Sequence, residues 1–148
     1  MKYVVVRWDG DQRGYWLDPR GYLDVLPLLA ESLGPGAASF ATDPHHYDFH
    51  SERCVKDLWF QSIKALENAQ RAELVLSPNA SKHSRGLQII YTSPVSVTVE
   101  HTGDPGVGWL GSLLLDEILP TDKGASHELV FTGGTIRILA GDLSATWE

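Results

Sequence analysis

From Gly86 to Glu148 apolar, β-rich segments alternate with turns in an almost unbroken series, and only one stretch of the chain carries the three-to-four spacing of a helix. The β-branched and aromatic run Tyr3 to Trp8, the turn-forming Asp9-Gly10-Asp11-Gln12-Arg13-Gly14 and then Tyr15-Trp16-Leu17 predict an opening hairpin. Asp18-Pro19-Arg20-Gly21 has the residues of a type I turn. The helix is expected over residues 25–33: Asp24 supplies a cap, Pro27 falls in the first turn, Leu26, Leu29 and Leu33 recur on one side, and Gly34-Pro35 stops it.

Residues 37–51 read as a short strand near Ser39 followed by a polar loop. Residues 54–66 admit both periods, since Val55, Leu58, Trp59 and Ile63 share a helical face while Leu58, Phe60 and Ser62 alternate; the strand is the preferred reading. Further strands are expected at 73–76, 87–92, 95–101, 113–119, 128–131, 135–139 and 145–147. Ser93-Pro94, Gly133-Gly134 and Gly141-Asp142 are among the turns between them, a layout of antiparallel meanders.

A two-residue loop at Gly133-Gly134 would set Phe131 opposite Ile136, Leu129 opposite Ile138 and His127 opposite Ala140. His127, Leu129, Phe131, Ile136, Ile138 and Ala140 then share one face. Glu128 and Arg137 form a diagonal ion pair on the other, so His127 and Glu128 cannot act together. The pattern as a whole predicts a single α+β domain over residues 1–148, mainly an antiparallel β-meander sheet, rolled or sandwich-like, with one principal helix near residues 25–33.

With 43% apolar and 21% charged residues the composition is that of a globular chain, and no apolar run approaches the ~18 residues of a membrane span. The N-terminus lacks the apolar core and cleavage site of a signal peptide, and Cys54 has no second cysteine to pair with, so a reducing, cytoplasmic location is expected. Charge is uneven. Residues 86–148 hold eight acids against two bases, within a net charge of −7. An acidic surface repels phosphate backbones, which argues against nucleic acid and for a basic protein as partner.

The densest set of metal-ligating types is Asp43-Pro44-His45-His46-Tyr47-Asp48-Phe49-His50, and an extended chain would place His46, Asp48 and His50 on one side. The spacing matches no closed zinc motif, so no metal or other cofactor is assigned. His45, His46, Asp48 and His50 are the residues a metal-dependent enzyme would use. Asp9-x-Asp11 lacks the rest of a calcium loop, and Gly103-Asp104-Pro105-Gly106-Val107-Gly108 lacks the lysine of a phosphate loop. Trp109, flanked by glycines and acids, has the character of an interface anchor.

Two stretches have a familiar pattern. Val55 to Ile63 with Glu73-Leu74-Val75-Leu76, and His127 to Phe131 with Gly134 to Ile138 and Asp142-Leu143, resemble the β-meanders of small, functionally uncharacterised bacterial proteins, some of them immunity proteins of toxin systems. The resemblance covers roughly residues 52–148 and includes no functional motif. It implies a small cytoplasmic protein that binds another protein. The leading expectation is therefore a non-catalytic interaction module, an immunity-type inhibitor presenting Trp109, Asp116, Glu117 and Glu128 to a basic partner; the alternative is a small metal-dependent enzyme built on the histidine cluster.

Overall fold

The computed structural model describes residues 1–102 and 110–148. The chain forms β1 (Val5–Asp9), β2 (Gly14–Asp18), α1 (Arg20–Ala30), α2 (Pro35–Ala41), β3 (Trp59–Leu66), β4 (Arg71–Ser77), β5 (Leu87–His101), β6 (Leu113–Thr121), β7 (Gly124–Phe131) and β8 (Gly134–Trp147). β1 and β2 make a two-stranded ribbon, and the rest form one antiparallel sheet in the order β3-β4-β5-β8-β7-β6. That sheet curls until its outer strands touch through a Trp59 to Ser112 bridge, reinforced by Leu113 N–H donating to the Leu58 carbonyl at 2.7 Å, without closing into a barrel. The α+β, mainly antiparallel reading holds, and no helix among the described residues is long and apolar enough to cross a membrane.

The helices differ from expectation in an instructive way. α1 begins five residues early because Asp18, read as part of a turn, accepts the Arg20 N–H at 3.0 Å, and the first helical bond follows from Leu23 N–H to Pro19. The Arg20 guanidinium also binds the Asp18 carboxylate and pulls its pKa down to about 2. Pro27 consequently lies inside α1, on its exposed side, where water can serve the carbonyl that loses its partner.

In place of the strand expected near Ser39 there is a second helix, α2. Its first turn has no local cap; instead the Asp142 carboxylate, on β8, accepts the N–H groups of Gly36 at 3.1 Å and Ala37 at 2.9 Å as well as that of Leu143. Gly36 is required by this docking, since a Cβ there would lie 1.9 Å from the Leu143 carbonyl oxygen. Asp142→Ala should destabilise the chain by about 1–2 kcal/mol, the range for a lost N-terminal acceptor. The matching observable is faster amide exchange confined first to α2; unchanged α2 protection would refute the assignment.

The meander is more continuous than the turn residues suggest. Ser93-Pro94 and Gly141-Asp142 are kinks inside β5 and β8, side by side in the ladder, where Thr92 pairs with Asp142 and Pro94 with Ala140. The loop between β7 and β8 is Thr132-Gly133, so Phe131 faces Gly134, Leu129 faces Ile136 and His127 faces Ile138, a two-residue slide from the expected register. The slide leaves every side chain on its expected face. It brings Arg137 directly opposite Glu128 at 3.4 Å. Gly134 is a strand residue pressed against β5, where a Cβ would fall 2.2 Å from the Glu100 carbonyl oxygen.

One hydrophobic cluster joins Tyr22 and Leu26 of α1, Phe40 and Ala41 of α2, and Tyr47 to the inner face of the sheet. Residues Leu113 to Ile118 of β6 are all buried, because the helical side covers one face and the N-terminal segment, residues 1–4, crosses the other.

Candidate functional site

β6 contains two adjacent acids in an otherwise apolar run, and strand alternation sends them to opposite faces. Asp116, 1% exposed, points into the core on the side of Leu129 and His127. Its Oδ1 is 2.8 Å from His46 Nε2 and its Oδ2 is 2.8 Å from His127 Nε2, so one carboxylate is clasped by two imidazoles from different parts of the chain. His46 arrives on the turn-rich segment after α2, with Nδ1 2.9 Å from the Phe40 carbonyl. Tyr91, on β5, reaches across β8 to place its hydroxyl 2.8 Å from His127 Nδ1, and the Tyr47 hydroxyl donates to the Asp116 backbone carbonyl at 3.0 Å.

The protons in this network can be assigned from the partners. The Phe40 carbonyl only accepts, so His46 Nδ1 carries a proton; an ionised Asp116 also only accepts, so Nε2 of both histidines carries one. His46 is therefore an imidazolium. Burial alone disfavours its charge, but Asp116 and the Phe40 carbonyl outweigh that and raise its pKa. Burial likewise pushes the Asp116 carboxyl up, and the two histidines more than reverse it, holding the acid below the ordinary range. Burial, with the nearby Asp116 charge, raises the Tyr91 phenol well above its usual value, so it stays protonated beside His127 Nδ1. Every buried side-chain nitrogen and oxygen among the described residues has a partner.

An acid, two histidines and a tyrosine are the components of general acid-base machinery. In this fold they are sealed: His46, Asp116 and His127 are each at most 1% exposed. The arrangement cross-links α2, β5, β6 and β7 by polar bonds.

Glu117, 2% exposed, faces the other way. Its carboxylate accepts three successive backbone N–H groups, from Lys2, Tyr3 and Val4, each at 2.7 Å. Glu128, opposite it on β7, meets the Met1 amino group at 3.2 Å and Arg137. The expectation that Asp116 and Glu117 present charge to a partner is corrected by their burial, and Glu128 is half-buried and already engaged. With Asp142 holding α2, half of the acids in residues 86–148 tie chain segments together, so the acidity of this stretch is only partly a surface property. Trp109 and the glycine-rich segment before it lie outside the described residues.

The histidine cluster is dispersed. Consecutive turns, with His46 N–H donating to Asp43, Asp48 to His45 and Ser51 to Asp48, replace the extended conformation that would have aligned it. His45 pairs with Ser51 at 3.0 Å, His46 is buried on Asp116, and the Asp48 carboxylate accepts the His50 N–H. No group of three or more His, Cys, Asp or Glu side chains among the described residues is placed to hold a metal ion.

His127 was legible as an inward-facing histidine at the polar end of a core face, which demands a buried partner. The signal for that partner was Asp116, an acid inside Leu113-Leu114-Leu115-Asp116-Glu117-Ile118-Leu119. No protein-family model matches the chain, and a search of curated proteins found no significant match.

Proposed function

We propose that the chain is a non-catalytic protein-binding module whose contact surface is the β1–β2 ribbon. The observation that carries this reading is the exposure of three large aromatics on a ribbon that, among the described residues, joins no other sheet: Trp8 at 57%, Trp16 at 49% and Tyr15 at 39%. Trp8 packs edge-on to Tyr15 at a centroid distance of 5.1 Å, with Val6 and Leu17 on the same face rooting the ribbon in the core, while Trp16 and Val5 occupy the opposite face. Rigid, exposed tryptophan and tyrosine are the side chains that dominate binding energy at protein interfaces.

The specific form we propose is an immunity-type inhibitor that covers its partner's surface. The net charge of −7 favours a basic partner by steering the encounter, and the aromatics hold it. The sealing of the Asp116 network supports the non-catalytic part of this reading.

The test is co-expression with the products of neighbouring genes, followed by reconstitution of any complex from purified components. Trp8→Ala is expected to raise Kd about 30-fold, the effect of losing one strong anchor, with the thermal midpoint nearly unchanged. Rising salt should slow association. A complex indifferent to both Trp8→Ala and Trp16→Ala would overturn the assignment of the ribbon, and turnover of a substrate by the purified chain would overturn the non-catalytic reading.

A further inference from the structure

β4 pairs with β5 only as far as Thr92, whereas β8 accompanies β5 to its end at His101. Among the described residues, residues 94–100 therefore have a strand on one side only, and alternate residues turn their N–H and C=O groups away from β8. Val97 and Val99 lie opposite Ile138 and Ile136, on the face that is core elsewhere in the sheet. Those isoleucines are buried, yet Val95, Val97 and Val99 are 52%, 44% and 41% exposed. Soluble sheets usually protect such an edge with lysine, a bulge or a covering loop. The kink at Pro94 lies at the near end of this run, and nothing charged interrupts residues 95–99.

We infer that this edge pairs with the same edge of a second copy of the chain, joining two sheets across a two-fold axis at Val97. The segment Pro94-Val95-Ser96-Val97-Thr98-Val99-Glu100 is self-complementary when paired antiparallel to itself about that point. Val97 meets Val97 of the second copy, Val95 meets Val99, and Ser96 meets Thr98, so valine faces valine and hydroxyl faces hydroxyl.

Charge selects the same register. Glu100 falls opposite Pro94 of the second copy and keeps its own Arg137 at 3.2 Å, on the face opposite the valines. A slide that centred the axis on Glu100 would instead set two carboxylates against each other, which is unfavourable. The occupant whose valines and hydroxyls match this edge position by position is another copy of this strand.

Sedimentation equilibrium on the full chain should show a reversible dimer. Val97→Lys places two ammonium groups face to face on the axis and should raise the dissociation constant about tenfold or more. Val97→Thr, which keeps the strand-forming shape, should leave the dimer in place. Circular dichroism and the thermal midpoint of each variant separate loss of pairing from loss of fold. The register is tested by Val97→Cys, which should form an intermolecular disulfide under mild oxidation, whereas Val95→Cys, offset from its own copy, should not; the native Cys54 is buried and does not compete. A wild-type chain that stays monomeric at about 100 μM, a dimer indifferent to Val97→Lys, or cross-linking through Val95→Cys in preference to Val97→Cys would overturn the proposal. A monomer that takes up a foreign extended peptide on this edge would show the pairing chemistry right and the occupant wrong, and would overturn it equally.

Discussion

Asp116→Leu is expected to lower the free energy of unfolding by about 3–5 kcal/mol, the cost of breaking a buried ion pair from one side. The substitution fits the volume but leaves two Nε2–H groups without an acceptor and the His46 charge without a counter-ion. Asp116→Asn should cost much less. Its carbonyl oxygen can accept from His127, and its amide can donate to a neutral His46 that keeps Nδ1–H on Phe40, so every bond survives without any charge.

The two variants also separate by pH. His46 has its pKa raised by folding, so its stabilisation is complete below the unfolded value of 6.5 and declines as pH rises through the folded value. Asp116 has its pKa lowered, so its contribution is present above 3.8 and is lost as pH falls through the folded value. The wild-type chain should be most stable between roughly pH 4 and pH 6.5 as far as this network decides. Asp116→Asn should remove the alkaline fall and, because it holds His46 neutral, should bring the acid fall up to just below pH 6.5, where the unfolded imidazole takes up a proton. Unfolding by urea across pH 3 to 9 measures this, and an Asp116→Asn profile with the alkaline fall intact would show that His46 is not the group responsible.

Most of the sheet is legible from alternation because a strand with one face on a core must repeat every second residue. What the alternation could not reveal is how kinks are absorbed. Ser93-Pro94 and Gly141-Asp142 carry turn residues, yet each is matched by the other across the β5–β8 ladder, and the strands run on. The β7–β8 slide has a similar cause, since Gly134 is needed under the Glu100 carbonyl and cannot be given to the loop. α2 was hidden for a different reason. Apart from Phe40 its side chains are small, and its cap comes from Asp142, 105 positions from Ala37. Helix propensity is local, and a long-range acceptor leaves no trace near the helix it stabilises.

The acids show the same limit from the side of function. Charge counted along the chain suggests a surface, but an acid flanked by leucines on a central run is a candidate for burial, and the backbone N–H groups that would satisfy it cannot be foreseen. Glu117 tests this reading most directly. Its carboxylate is the only partner described for the N–H groups of Lys2, Tyr3 and Val4, and hydrogen bonds to a charged acceptor contribute about 1.5–3 kcal/mol each before relaxation. The segment can swing into water when released, so the net loss for Glu117→Ala is expected at about 3 kcal/mol, well under the sum. Glu117→Gln should not rescue it. Its amide nitrogen would confront a backbone N–H, and a neutral oxygen binds the remaining donors less strongly. The loss should begin at the N-terminal segment. Amides of residues 2–4 should lose protection at denaturant concentrations where β7 and β8 are still closed, exposing the outer face of β6. If those amides instead exchange only with global unfolding in Glu117→Gln, the carboxylate is not what holds the segment, and the packing of Val4 would have to be sufficient alone.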